Sequence, residues 1–234
     1  MASEPLPRGE TKRAVVQDMF DRIAPRYDLM NRLLSLGLDQ RWRRRALDLA
    51  AVGPADVLLD LACGTGDLSE LARDRGATVL GVDFAGVMLG KARSRQIDAS
   101  FLQADGAALP LADGSVTVIT SGFALRNFVA LPQVFAELAR VMAPGGRLAL
   151  LDVDRPSSAI VRFGHSLWFD RVVPFVGGLL SDKDAYSYLP ASTVYLPEEQ
   201  QLLELLSQAG FDNVAKQGLL FGAAQILTGV RRAG

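Results

Sequence analysis

Three acidic residues stand where a nucleoside could be held. The stretch Asp60-Leu61-Ala62-Cys63-Gly64-Thr65-Gly66-Asp67 follows an apolar run and sets two glycines two apart. Its backbone can therefore turn sharply and approach a ligand with no Cβ in the way. Asp60 can order that turn or meet a ligand cation. The third glycine of the dinucleotide fingerprint would fall at position 69, which is Ser69, so the fingerprint is incomplete. Asp83 ends the next apolar run, about twenty residues on, where a carboxylate can accept from ribose hydroxyls or cap a helix. Asp105-Gly106 ends a third run. Asp105 can accept from an adenine amino group, and Gly106 leaves room for the ring.

The elements around these residues alternate. DVLLDLA (56–62), TVLGVD (78–83), ASFLQAD (99–105), SVTVITSG (115–122) and RLALLDVD (147–154) read as strands, and 69–76, 85–95 and 131–146 as helices, the last ending in a turn. Continuous apolar strands separated by helices predict a doubly wound α/β fold with a parallel sheet covered on both faces. Ahead of it, residues 1–14 are polar and expected to be loose. Val16, Met19, Phe20, Ile23 and Tyr27 recur at helical spacing, with Pro25 limiting the helix. A second helical segment is expected at 30–38, then RWRRRALDLA, closed by Gly53-Pro54. After Pro156 the alternation stops, and 157–197 is aromatic-rich without a strand period. EEQQLLELLSQAGF (198–211) is a helix, and the end reads as two antiparallel edge strands around Gly222.

Composition narrows the function classes. With 25 Lys plus Arg against 26 Asp plus Glu the net charge is −1, which excludes bulk electrostatic binding of nucleic acid. The single cysteine, Cys63, allows neither an internal disulfide nor a cysteine zinc cluster, as suits a reducing cytoplasm. The N-terminus lacks the apolar core of a secretory signal. The apolar stretch VVPFVGGLL (172–180) is far short of the ~20 residues a membrane span needs. One domain and a cytoplasmic location are expected, and no metal is implied.

The strand ends DLACGTGDL, GVD and QADGAALPLADGS resemble class I S-adenosylmethionine-dependent methyltransferases. VVQDMFDRIAPRYDLMNRLLSLGLDQRWRR, GFALRN (122–127), RVMAPGGRLALLDVDRP (140–156), SDKDAYSYLPAS (181–192) and LLSQAGFDNV (205–214) are similar to the ubiquinone/menaquinone C-methyltransferase family. The resemblance runs from about Val15 to the C-terminus. It implies a mostly parallel seven-stranded Rossmann-like sheet with an N-terminal helical cap (15–52), a cofactor-binding core (55–156), an inserted substrate lid (157–197) and a C-terminal helix with edge strands (198–234). It implies S-adenosylmethionine as cofactor, with Thr65, Asp83, Asp105, Gly106 and Gly122 at family contact positions. A serine is common at the last of these, so only backbone remains there. Asp60, Gly64 and Gly66 complete the expected cofactor set.

The implied reaction methylates a ring carbon of a polyprenylated quinol, demethylmenaquinol before a benzoquinol of ubiquinone synthesis or a soluble aromatic metabolite. A cofactor-binding scaffold without turnover is the reading from another class. A ring carbon becomes nucleophilic when the neighbouring hydroxyl loses its proton, so a base or an oxyanion-stabilising cation is needed. Arg126 and Asn127, in the family's LRN motif, are the expected catalytic pair. Arg126 would stabilise the quinolate or hold a proton-accepting water, against the alternative of a salt bridge at the sheet rim. His165, the single histidine, is the natural base by pKa but matches no family catalytic position. Cys63 is read as a buried spacer. Tyr27, Asn31, Tyr186 and Tyr188 are expected to close the pocket or pack the lid. Asp152 stands where the family often has Glu, Asp154 where Ser is common, and GAAQILTG lacks a histidine many relatives carry. A prenyl tail would suit contact with a membrane surface through Arg41, Arg43, Arg44 and Arg45 and through VVPFVGGLL. A homodimer is a further expected partner state.

Overall fold

The computed structural model describes residues 9–154 and 192–233. Each of the five apolar runs forms a strand: β1 (Val57–Leu61), β2 (Thr78–Asp83), β3 (Ser100–Gln103), β4 (Val116–Gly122) and β5 (Met142–Val153). With β6 (Phe211–Leu219) and β7 (Ala224–Arg231) they make one sheet in the order β3-β2-β1-β4-β5-β7-β6. All neighbours are parallel except β7, which runs antiparallel to both β5 and β6. The order reverses at β1, so β1 and β4 diverge where a ligand crevice forms in such folds.

The central strands are largely apolar because both of their faces are covered. Leu59, Leu61, Leu148 and Leu150 point into one core, with Phe135 of α6 (Leu131–Val141) and Leu206 of α7 (Glu199–Gln208). Leu58, Ala149 and Leu151 point into the other, with Ala46 and Leu47 of α3 (Leu38–Leu49) and Leu68 of α4 (Asp67–Arg73). Alternate residues of one strand thus serve opposite layers.

Three boundaries differ from the sequence reading, one being the second helix, expected at 30–38 and found at Tyr27–Leu34. Helix α6 stops at Val141, and the MAPGG segment, expected to be a turn, opens β5. Its register against β4 jumps from Val116↔Met142 to Val118↔Arg147, with Gly145 at φ 75° making the irregularity. At the other end, α1 spans Gly9–Ile23, so residues 9–14, expected to be loose, are helical. The reason is Lys12, which is buried on the same stripe as Val16, Met19 and Ile23. Its ammonium donates to the carbonyls of Arg126 (2.8 Å) and Phe128 (2.9 Å) and lies 3.9 Å over the Tyr195 ring. Burial, with Arg126 nearby, pulls its pKa down to about 8.

The helical cap continues through a 3-10 turn (Ala24–Arg26) to α2 (Tyr27–Leu34). Val16, Met19, Ile23 and Ala24 pack on Ala85 and Met88 at the start of α5 (Gly86–Ser94), which closes the cap over the β1 and β2 ends.

Phe135 is fully buried between α6 and the sheet. Phe135→Ala should cost about 3–5 kcal/mol in urea denaturation. A loss below about 1 kcal/mol would contradict the core assignment.

Candidate active site

The glycine turn joins β1 to α4 by a chain of left-handed residues: Ala62 (φ 52°), Gly64 (57°) and Gly66 (89°). Two hydrogen bonds fix it, Cys63 N to the Val82 carbonyl (3.0 Å) and Gly66 N to the Cys63 carbonyl (2.9 Å). Asp83 supplies the third. Its Oδ2 accepts from Gly64 N and its Oδ1 from Ala85 N, both at 2.8 Å. One carboxylate therefore holds the glycine turn and starts α5, so the capping role is realised together with exposure to the cleft. Burial raises the Asp83 pKa, opposed by its backbone N–H donors. With Phe84 N–H as a further backbone donor, the carboxylate still keeps a lone-pair site for a ligand.

The cleft this creates is a cavity of about 270 Å³ along the strand ends. Gly64, Asp83, Asp105, Gly106, Gly122, Asn127 and Tyr27 line it, so seven of the expected site residues meet there. Phe20, Phe84, Phe123 and Phe128 give it an apolar wall. Asp105 is oriented by an N–H from Ala107 (3.0 Å). A Cβ on Gly106 would lie 3.2 Å from Leu61 and 3.3 Å from Phe128, so glycine keeps that floor open. The Tyr27 ring meets Phe20 edge-on at 5.9 Å, and burial raises its hydroxyl pKa.

Other expected residues support the cleft from behind. Asp60 does not line it. Fully buried, it accepts from Ser69 Oγ (2.7 Å) and Thr120 Oγ1 (3.4 Å), and burial raises its pKa to about 7. Of its two proposed roles it is placed for ordering the turn. The Thr65 hydroxyl donates to Asp28 (2.5 Å) and ties α2 to the turn. Gly66 backs onto Ile97, Ala92 and Phe101. Asn31 lies against Tyr27, where it opposes the upward shift of the hydroxyl pKa. Tyr186, Tyr188, His165, VVPFVGGLL and the expected lid lie outside the described residues, apart from 192–197 at the lid's end.

Arg126 departs furthest from its expected place. Its side chain turns away from the cavity into a buried ion pair with Asp152, and its Nε donates to Ser192 (3.1 Å). Its backbone N–H also reaches Asp152 (3.1 Å). This is the salt bridge at the sheet rim rather than a cation facing substrate. Asp152 thus has a structural partner, and Asp154 pairs with Lys216 at 2.9 Å. The RWRRR run divides as well. Arg41, Arg44 and Arg45 are exposed, whereas Arg43 is buried on the stripe of Ala46, Leu47 and Ala50. Helical phase separates it from the other three, a signal present in the sequence. Lys12 carried the same signal in α1, and of the aromatic wall Phe20 did, at helical spacing with Val16 and Ile23.

Residues 8–231 match the family model described as the ubiE/COQ5 methyltransferase family. The chain belongs to this family. A demethylmenaquinone methyltransferase of Thermus thermophilus is 46% identical over 91% of the chain and 100% of its own length. A ubiquinone/menaquinone biosynthesis C-methyltransferase UbiE of Geobacter sulfurreducens is 37% identical over 92% of the chain and 87% of its own. The crystal structure of the [4+2]-cyclase SpnF superposes with a TM-score of 0.69 at 17% identity, covering 97% of each chain. That neighbour shares the fold alone, which hosts more than one chemistry. The protein is an S-adenosylmethionine-dependent methyltransferase. The site fits that cofactor: acceptors at the β2 and β3 ends suit a nucleoside, and the Gly106 floor would be filled by any Cβ.

Asp60 makes stability depend on pH. Its folded pKa of about 7 lies above the ordinary 3.8, so the folded state binds the proton more tightly and this group's contribution falls as pH rises from 4 to 7. Asp60→Asn should remove on the order of 3 kcal/mol of that decline, seen as a flatter unfolding free energy in urea between pH 4.5 and 7.5. Equal slopes in both proteins would contradict the assignment.

Proposed function

We propose that this methyltransferase acts on a ring carbon of a polyprenylated quinol, demethylmenaquinol in the first place. The observation that carries the reading is a single cavity combining strand-end carboxylates for a nucleoside with four phenylalanines for a flat apolar ring. The 46% identity to a protein named demethylmenaquinone methyltransferase supports the naphthoquinol over the benzoquinol.

S-adenosylmethionine, when bound, supplies a methyl carbon made electrophilic by its sulfonium. Asp83 and Asp105 accept from its nucleoside and fix its place along the sheet edge. Methyl transfer would need the acceptor ring held by its faces beside that methyl carbon, and Phe20, Phe84, Phe123 and Phe128 would hold it. Phe20, Phe123 and Phe128 also exclude water, so the polar groups beside the ring act in a low dielectric. Asn127 reaches the cavity and is placed to steady the ring oxygen as it gains charge. Arg126 acts at one remove. Paired with Asp152, it fixes the 3-10 turn Leu125–Asn127 that presents Asn127. It is a positioning residue.

Contact with a membrane surface belongs to the same proposal. Among the described residues no helix is long and apolar enough to cross a bilayer. Leu29, Leu33 and Leu36 are exposed on and just beyond α2, which packs over the glycine turn. Phe221, 82% exposed, tips the β6–β7 turn beside the C-terminal end of β5. Both would give a prenyl tail an exposed apolar surface to leave along.

Purified protein given methyl-labelled S-adenosylmethionine should label reduced demethylmenaquinone in preference to a reduced benzoquinone precursor. Label only in the benzoquinol overturns the naphthoquinol assignment, and label in neither overturns the quinol reading.

A further inference from the structure

Lys12 sits one helical turn before Val16 and two before Phe20, the residues through which α1 lines the cavity. Its ammonium is the polar end of that face. It donates to the carbonyls of Arg126 (2.8 Å) and Phe128 (2.9 Å), the residues on either side of Asn127. The 3-10 turn makes no use of these two carbonyls, because its own bonds run from Asn127 N to the Ala124 carbonyl and from Phe128 N to that of Leu125. The end of a helical turn leaves such acceptors unsatisfied, and α1 supplies one donor group for both.

The groups around the ammonium decide its character. Arg126 faces it from the 3-10 turn, the Tyr195 ring lies 3.9 Å away on the turn Thr193–Tyr195, and Asp152 of β5 is taken up by Arg126. Among the described residues no carboxylate pairs with Lys12. Burying an ammonium without a counter-charge is costly, and two charge-assisted bonds and a ring face offset that cost while the group is protonated. With its pKa lowered to about 8, the charge that strengthens all three contacts is present at neutral pH and lost in mild alkali.

Asn127 is the residue on which this arrangement bears. Its side chain lines the cavity, and the direction in which it leaves the turn follows the backbone at 126–128. Two buried cations hold that backbone, Arg126 through Asp152 of β5 and Lys12 from α1. We propose that Lys12 is a positioning residue for methyl transfer, its charged ammonium holding both carbonyls that flank Asn127 and so keeping the Asn127 amide aimed at the acceptor ring. This rests on the reading that Asn127 steadies the ring oxygen, and extends it to a helix that precedes the cofactor-binding core.

Lys12→Met nearly keeps the length of the side chain and removes the donor. In the folded variant, kcat toward reduced demethylmenaquinone should fall about 10- to 100-fold at pH 7, with S-adenosylhomocysteine affinity within about 3-fold. The ratio of unaltered to variant kcat, in which ionisation of the quinol cancels, should shrink at least about 3-fold between pH 7 and 9.5 as the ammonium loses its proton. A ratio that does not change with pH, or an equal loss of cofactor affinity, would overturn the proposal, since Lys12 would then only pack the cap. On the unaltered protein, the NMR signals of the Asn127 side-chain amide should shift with a midpoint near pH 8. Signals unmoved between pH 6.5 and 9.5 would overturn the proposal, whether or not the variant folds. Absence of turnover in the unaltered protein would overturn the quinol reading instead, and the NMR titration would then decide on Lys12.

Discussion

The Asp83 carboxylate is the contact on which the cleft depends. A strand end is a natural place for an acceptor, because successive strands deliver their last residues to one edge while the following loops leave N–H groups unpaired. Asp83 takes up two such groups, from Gly64 and Ala85, and so joins the loop after β1 to the helix after β2. The cap then follows, since Ala85 and Met88 are the surface on which α1 packs. A backbone with left-handed residues at 62, 64 and 66 is costly unless its surroundings fix it. Here a strand carbonyl, a carboxylate and the Asp28–Thr65 bond do so.

A common logic runs through the buried polar groups. Asp60 holds the base of the turn through Ser69 and Thr120, Arg126 and Asp152 hold the 3-10 turn at the β4 end, and Lys12 fastens α1 to the same turn. Each ties backbone to backbone across large sequence separations. Breaking such a pair leaves a buried charge unmatched, which costs far more than the pair itself contributes. Such groups keep the cleft in one shape and need not touch a ligand.

The sequence made the strand ends legible because two signals coincided there, the close of an apolar run and an acid or glycine suited to it. Asp83, Asp105 and Gly106 accordingly line the cavity. Asp60 carried the same signals but faces inward, because strand residues alternate and its side is the one that meets Ser69. The destination of Arg126 depended on Asp152, 26 residues on and across a strand, which spacing along the chain does not reveal. Arg43 and Lys12 were hidden differently. Both lie in phase with apolar stripes, but a charge run and a polar N-terminus read first as solvated surface, and only the helix period distinguishes the inward residue.

The central claim is that one carboxylate both builds the glycine turn and holds the nucleoside. Calorimetric titration of Asp83→Asn with S-adenosylhomocysteine tests it most directly, because asparagine keeps the shape but loses the charge and one of the two acceptor oxygens. The account predicts an affinity about 10- to 150-fold weaker in a protein that remains folded. Affinity equal to that of the unaltered protein would contradict it.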